Sequence, residues 1–531
     1  MRREFTQLST VAFAASVSAC FSTVCTTFPF SVRAGGTAAA VWCWWGGGLM
    51  VYTLVLSVAE ITSAYTTSGG IYHAASQLAP PKRAALAAWV VGWLNLFGQI
   101  CGVASVEYGA AEILLATCSV ITDGTYRPNN RHTVGVMVLG TFLTGFVNSM
   151  STKWLSKTTV AYIMFHGLVI VTCCATLLSV SDDKHTSAYV TSHFESSSGW
   201  HPSAYSALFG LLSVSWTITD FDASSHIAEE VRHPEIVVPR AISLGMALAY
   251  LFGGIFTTTL AIVMGNPASI LSTPLGQPVI QIFLNVLGKH YGALFAFTAY
   301  LILKISGVTA MQALARTAFA FSRDKLIPGH RIWVRTCART KTPVYAVWLC
   351  VVVCAAVNLI ALASTAAILA VFNVCVIALD LSYVVVILLK VFGGRWRPGP
   401  LHLGRASRWC NWVGVVWTVC ITGLFVQPVV RPVQGETMNY ASVFFVALLA
   451  WIFASWWFVG RKHFRGPAAQ VEMVEETATD PSMGVPSCAR AQSPRPKHVD
   501  VAEVDPVASG SSSAQESLEM KEMGTRRHSG P

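Results

Sequence analysis

Two carboxylates, Asp220 and Asp222, stand in a run of otherwise apolar, aromatic and hydroxyl residues, Ser215-Trp216-Thr217-Ile218-Thr219-Asp220-Phe221-Asp222-Ala223-Ser224-Ser225-His226-Ile227-Ala228-Glu229-Glu230. A charge at the centre of a bilayer costs about 3 kcal/mol on insertion scales, so such a group faces the protein interior or water. A continuous lipid-facing helix cannot carry this run, whereas a discontinuous one can. Unwinding near residues 219–221 frees backbone N–H and C=O groups at mid-membrane, where a substrate or an ion can satisfy them. Asp222 then stands near the start of the second half-helix, where it can cap free N–H groups. Asp220 is read as binding an amino or quaternary ammonium group; the alternative is a satisfied structural acid. Trp216 and Phe221 can close over a cationic head by cation–π contact, or they pack helices. His166 can relay protons, or it is a hydrogen-bonded packing histidine. Lys304, Ser306 and Thr309 form a further polar group inside an apolar stretch, with Glu107 and Asp380 as acids that can pair with the lysine.

Other chemistries find no residues to carry them. The chain has no nucleophile elbow, P-loop, dinucleotide fingerprint or HExxH motif, so no cofactor and no metal is expected. Its 14 cysteines lie mostly in apolar runs, and no CxxC pair occurs. They read as small apolar fillers rather than zinc ligands or a disulfide framework.

The composition agrees with a membrane-embedded site. Of 531 residues, 53% are hydrophobic and 12% charged, at a mean hydropathy of +0.54. Soluble chains carry about 25% charged residues. An ordinary soluble enzyme is excluded, as is disorder over most of the length. A crossing helix needs roughly 20 apolar residues. Twelve candidate spans follow, at 8–32, 41–64, 86–117, 134–149, 158–180, 203–230, 241–265, 291–322, 343–363, 366–392, 409–430 and 440–460. The segment 274–290 is too short and interrupted to span and reads as re-entrant or interfacial. Arg2-Arg3 with the following apolar stretch resembles a secretory signal, but the apolar run continues to Val32, past a typical signal core. It is read as the first span, after a short cytoplasmic N-terminus, residues 1–7.

Orientation follows from Lys and Arg placement. With the N-terminus inside, cytoplasmic segments hold 22 of these residues and outside loops hold 6. Both termini are therefore expected in the cytosol, and the basic excess reports contact with anionic lipid of the inner leaflet rather than nucleic acid. Residues 466–531 are rich in Ser, Pro, Glu, Met and Ala and read as a disordered cytoplasmic tail. In it Ser493 and Ser529 resemble kinase sites, or the tail is an unmodified linker.

The run Trp216–Glu230, followed by VRHPEIVVPRAI, resembles the sixth-helix signature of the fungal-type amino acid/choline (GABA-permease-like) transporters of the amino acid–polyamine–organocation superfamily. Residues 59–80 resemble the stretch after helix two, and GWLNLFGQ (92–99) resembles helix three. ARTAFAFSRDKLIP (315–328) resembles the end of helix eight. PGPLHLGR (398–405) and GRKHFRGP (460–467) resemble the family's last loop and C-terminal edge. The resemblance covers about residues 8–467. It implies an all-α polytopic fold of twelve transmembrane helices. Helices one to ten, residues 8–392, would form a five-plus-five inverted-repeat core with discontinuous helices one and six. Residues 393–465 would supply a connecting loop and accessory helices eleven and twelve. The substrate site would include the first-helix break, Ser16, Val17, Ser18, Ala19 and Cys20, facing Trp216, Thr219, Asp220, Phe221 and Asp222. Helix eight would face helix one where sodium-coupled relatives hold an ion, so the Lys304 ammonium would replace that ion and carry the coupling proton, with Ser306, Thr309, Glu107 and His166 around it. Three departures stand out: Asp220 where the family has Gly, no Gly at the first break, and an N-terminal tail shorter than the family norm.

The function read from these features is secondary active transport of amino acids or related amines such as GABA or choline. Transport would be driven by protons or by a counter-substrate, across the plasma membrane or alternatively an organelle membrane. The competing readings are a non-transporting sensor on the same core and a membrane-embedded enzyme around His226 and Glu229-Glu230.

Overall fold

The computed structural model describes residues 4–340, 342–435 and 437–467. The tail with Ser493 and Ser529, and residues 1–3, lie outside them. The described chain is helical apart from turns and one isolated parallel bridge, Phe5–Val231. Helices keep every backbone hydrogen bond within one segment, which hydrocarbon surroundings demand.

In chain order the helices are α1 (Gln7–Ser18), α2 (Cys20–Ala64), α3 (Ile71–Leu78), α4 (Ala84–Ile121), α5 (Asn130–Asn148), α6 (Thr152–Val180), α7 (Ser187–Ser192), α8 (Ser203–Leu208), α9 (Leu211–Thr217), α10 (Ala223–His226) and α11 (Pro234–Val263). There follow α12 (Pro267–Leu271), α13 (Pro278–Arg323), α14 (His330–Trp333), α15 (Val344–Asn358), α16 (Ile360–Ala363), α17 (Thr365–Phe392), α18 (Ala406–Phe425), α19 (Ala441–Ser455) and α20 (Arg461–His463). All twelve apolar segments fall on helix. Among the described residues, eight helical stretches are long and apolar enough to cross a membrane by length and composition. One of these, Gln7–Ala64, has 58 residues and holds the first two apolar segments. The sixth segment is absent from the eight because it is broken into the short pieces α8, α9 and α10.

Long helices bend where the backbone leaves helical geometry. In α2 this happens at Gly35 and Gly36, the latter at φ 69°, and it separates the first two apolar segments. A Cβ on Gly36 would lie 3.2 Å from the Glu195 nitrogen, so the turn needs glycine for both space and dihedral. The segment expected to be a separate re-entrant piece, 274–290, instead runs as helix from Pro278 into the eighth segment, with a kink at Gly288 (φ 73°). The N-terminus is tied down. Thr6 and Ser9 form a reciprocal capping box at the start of α1, and Phe5, fully buried, donates its N–H to the Glu230 carbonyl at 3.0 Å.

The helix α4 packs against both α13 and α17. Its Gly98 makes the second contact possible, since a Cβ there would lie 2.6 Å from Leu379; small residues at such points let helices approach closely in membranes. At one end of α17, Lys390 donates to Glu60 of α2 at 2.6 Å and lies 4.6 Å from the Trp396 ring. Glu60 also accepts from Ser407 Oγ of α18 and from the Leu403 N–H. This buried cluster fastens the 393–405 loop and α18 to the core.

The Lys and Arg asymmetry makes a topology prediction. A cysteine replacing Asp183 should react with an impermeant maleimide applied to intact cells, and a cysteine replacing Arg397 only after permeabilisation. Reaction of both from the same side would overturn the orientation.

Candidate functional site

The first break is a single residue. Ala19 adopts φ 39°, ψ 48° between α1 and α2. This left-handed geometry costs an L-residue roughly 1–2 kcal/mol, which explains why relatives are expected to carry glycine here. The groups freed by the break find partners. Ser306 Oγ of α13 donates to the Val17 carbonyl at 2.8 Å, and Thr23 Oγ1 donates to the Ser18 carbonyl at 2.9 Å. The Phe21 N–H donates to His166 Nε2 at 3.2 Å, and Cys20 Sγ lies 3.9 Å from the same nitrogen. His166 is thus an acceptor at the start of a helix arm and caps it. Ser16 Oγ returns to the Phe13 carbonyl, and Ser18 Oγ contacts Met246 Sδ.

The second break spans residues 218–222, between α9 and α10. Asp220 has φ 53°, again left-handed, a geometry that favours glycine. Its Oδ1 accepts from Gln99 Nε2 of α4 at 3.4 Å. Asp222 does not make the expected cap: no backbone N–H of α10 reaches its side chain. Its carboxylate turns across the bundle instead. Oδ2 accepts from Asn95 Nδ2 at 2.9 Å, Oδ1 accepts from the Tyr383 hydroxyl at 2.6 Å, and His226 Nε2 lies 3.3 Å from Oδ2. Three elements, α4, α17 and α10, therefore converge on one acid. Trp216 donates its indole N–H to Ser105 Oγ, and its ring packs on Phe372 at 4.7 Å. Phe221 packs on Tyr383 at 4.5 Å. Each aromatic already has an aromatic neighbour, so the cation–π lid read from the sequence is not preformed.

Several buried polar atoms around the second break lack hydrogen-bond partners: Asn95 Oδ1, Gln99 Oε1 and the hydroxyls of Ser215, Thr217, Thr219, Ser224 and Ser225. Such atoms are uncommon in folded proteins and costly. A ligand or ordered water belongs there. Near the α9 side of the break, a cavity of about 200 Å3 is lined by Phe30, Arg33, Leu212, Asn373 and Asn439 among others. Drug-sized pockets run to roughly 300–1,000 Å3, so this one suits a small solute. Phe372, within 6.0 Å of Phe30 and 4.7 Å of Trp216, stands between the cavity and the break.

On the α10 side of the break, Glu229 takes hydrogen bonds from Ser68 Oγ and from Arg323 Nη1, and Arg316 Nε, fully buried, reaches Glu230 Oε1 at 3.3 Å. The backbone bridge between Phe5 and Val231 joins the same region.

Lys304 does not face α1. Its ammonium is bound to both Glu107 oxygens at 2.6 Å, with Thr144 Oγ1 of α5 at 3.3 Å. Residues two apart on a helix point to different sides. Ser306 takes the α1-facing position, Lys304 is turned toward α4 and α5, and Thr309 Oγ1 returns to its own helix at the Ser306 carbonyl. Asp380, the other candidate partner for the lysine, is buried on α17 one turn before Tyr383 and makes no hydrogen bond or ion pair with the described residues.

Discontinuous helices and acids at the break invite comparison with known proteins. The family model described as "Amino acid permease" matches residues 5–449. The chain belongs to the amino acid permease family. It is 39% identical to amino-acid permease 2 of Neurospora crassa over 486 residues, covering 91% of this chain and 89% of that one. An uncharacterized amino-acid permease of Schizosaccharomyces pombe is 46% identical over 479 residues, 90% and 88% of the two chains. Amino-acid permease BAT1 of Arabidopsis thaliana is 29% identical over 487 residues, 89% and 94% of the two chains. The permease is thus an integral, multi-pass membrane protein of a transporter family rather than an enzyme family, within the amino acid–polyamine–organocation superfamily.

Sequence reasoning missed four residues that the structure brings to the candidate site: Asn95, Gln99, Tyr383 and Ser105. The first two had a signal. They stand four apart in GWLNLFGQ, on one helix face, in a stretch that is otherwise apolar. Tyr383 and Ser105 carried no such pattern. The pair Arg316–Glu230 also escaped, because Arg316 falls within a motif read only for family likeness.

The Lys304–Glu107 pair yields a stability prediction. Lys304→Met leaves a buried carboxylate unpaired, and breaking one partner of such a pair costs about 3–5 kcal/mol. The double variant Lys304→Met, Glu107→Leu should recover most of that loss in thermal unfolding of the detergent-purified permease. Equal melting of the single and double variants would show that the pair contributes no net coupling.

Proposed function

We propose that the permease moves small amino-bearing solutes, amino acids or related amines such as GABA or choline, by alternating access. It would work on a twelve-crossing, five-plus-five inverted-repeat core in the plasma membrane. Transport would be driven by a proton gradient or by exchange with a counter-substrate, without sodium. The observation that carries the reading is the set of partnerless acceptors at the second break. Asn95 Oδ1 and Gln99 Oε1 have no donor, and Asp220 receives one long hydrogen bond at 3.4 Å. Amide and carboxylate oxygens in want of donors suit an ammonium group. The half-helix ends at the break add partial charges of roughly half an elementary charge each, negative at the C-terminal end of α9.

The geometry favours transport over sensing in one respect. The site lies between a cavity near α9 and a region beyond α10 held by a few ion pairs and one backbone bridge, which is an arrangement that can open and close. The sensor reading has no comparable feature.

Purified permease in proteoliposomes, tested for uptake of radiolabelled amino acids, γ-aminobutyrate, choline and polyamines, decides between the two. Uptake of none of them would remove the transport reading. The substrate-charge prediction follows from Asp220→Gly. Glycine relaxes the positive φ, so the variant should fold. It should also lower affinity for cationic amines relative to zwitterionic amino acids about tenfold, a change of about 1.4 kcal/mol. An unchanged ratio of apparent constants, with normal expression, would assign Asp220 to structure.

A further inference from the structure

The two ring nitrogens of His226 both face acceptors. Nδ1 lies 3.2 Å from the Ser68 carbonyl oxygen, and Nε2 lies 3.3 Å from Asp222 Oδ2. The imidazole and the carboxylate are both fully buried. A carbonyl oxygen can only accept, and an ionised carboxylate can only accept. A neutral imidazole has one N–H, which satisfies one of these contacts and leaves two lone pairs facing each other at the second. The arrangement therefore requires one additional proton, on His226 Nε2 or on Asp222 Oδ2.

We propose that Asp222 and His226 together bind the coupling proton, and that its presence holds the inner side closed. This rests on the transport reading above and names its driving ion. With the proton bound, His226 bridges the second break and the Ser68 segment. That segment is built around the ring: Gly70 has φ 59°, and a Cβ on it would lie 2.8 Å from His226 Cε1. Ser68 in turn donates to Glu229, which Arg323 binds at 2.9 Å. When the proton leaves for the inner aqueous phase, a lone pair on one ring nitrogen opposes the acceptor it faces, Asp222 Oδ2 or the Ser68 carbonyl oxygen. The ring must then leave either Asp222 or Ser68, which loosens the seal. Only a proton moves between the pair and water, and no bond between heavy atoms changes.

The pair is surrounded mainly by acids and neutral polar groups. Asp220 stands on the same break. Tyr383 donates to Asp222, and Asp380 lies on the same helix, α17. From α4 come only the neutral Asn95 and Gln99. From α13 come Arg316 and Arg323, each already on a glutamate. The charged residues of α11 are Glu235 and Arg240, in its first two turns, and α1 has no titratable residue. His73 of α3 is held below the usual histidine range, by burial first and then by the Arg323 charge, so it adds no competing cation. Lys304 is committed to Glu107 and does not reach this site.

The experiment uses the full chain in proteoliposomes loaded with a pH-sensitive dye, with whichever labelled solute of the panel the wild type exchanges. A proton moving with each solute supports about tenfold accumulation per unit of pH difference. Wild type should show that accumulation with a matching proton influx. The variant His226→Gln, which hydrogen-bonds but does not ionise, should retain counterflow exchange while losing both pH-driven accumulation and proton influx. The variant Gly70→Ala, which crowds the ring, should shift the pH midpoint of accumulation by about half a unit or more, a threefold change in proton affinity. Accumulation and proton influx in His226→Gln equal to wild type would overturn the proposal. If that variant fails to fold, an unmoved midpoint in Gly70→Ala overturns it. Wild type that exchanges solute but ignores the pH gradient also overturns it, while leaving transport intact. Wild type that exchanges no solute at all removes the transport reading itself.

Discussion

A backbone carbonyl or N–H left unpaired in hydrocarbon costs several kcal/mol, and this chain breaks two helices where that cost is highest. The rest of the architecture answers the breaks. At Ala19 the answer is internal: Ser306, Thr23 and His166 each take one freed group. At 218–222 it is partial. Asp222 is tied to α4 and α17, while the hydroxyls of Ser215, Thr217 and Thr219 and the amide oxygens of Asn95 and Gln99 are not satisfied by protein. The two breaks thus differ: the polar groups of the first are taken up by protein, and those of the second only in part.

Charge follows the same logic. Lys304, Arg316 and Lys390 are buried or nearly so, and each lies on a glutamate of another helix: Glu107, Glu230 and Glu60. Buried pairs of this kind add little net stability but penalise any arrangement that separates them. They join α13 to α4, α13 to the end of the sixth segment, and α17 to α2. The pair at Arg316 differs from the others. Its two terminal guanidinium nitrogens and Glu230 Oε2 have no hydrogen-bond partner, so that contact is only half made, while those at Lys304 and Lys390 are complete. Under the proposed alternating access, this is the pair that would separate at least cost.

Helix content, the positions of the apolar segments and the location of the sixth break were legible in the sequence, because each rests on local pattern: run length, or polar residues where lipid forbids them. Ala19 was legible as a break only through family likeness, since nothing local marks an alanine for φ 39°. Direction around a helix was not legible. Lys304 and Ser306 read as one polar group, yet only the serine faces α1. The partner of Asp222 was missed because a capping bond is a short-range inference, whereas Asn95 and Tyr383 are brought in by packing at Gly98, which lets α4 and α17 approach. His226 read as one member of a cluster with Glu229 and Glu230. The fold separates them, sending the histidine to the break and the glutamates to arginines of α13.

Both breaks keep a non-glycine residue in a left-handed conformation. At position 19 the residue is alanine, which adds no polar group and gains only a small side chain in a packed core. At position 220 the strain accompanies a carboxylate that glycine cannot supply. That carboxylate joins Asp222 and Asp380, all three within electrostatic reach of the Tyr383 hydroxyl, in a region whose nearest lysine and arginine side chains are each bound to a glutamate. Three buried acids with no free cation beside them among the described residues leave a surplus of negative charge that nearby side chains do not offset. The surplus has to be met by protons, by a positively charged group from outside, or by both in turn. An ammonium-bearing solute and a proton would then answer different acids of the set, so that the site is neutralised most fully when both are bound. Linkage between the two follows from the charge alone, before any movement of helices is invoked.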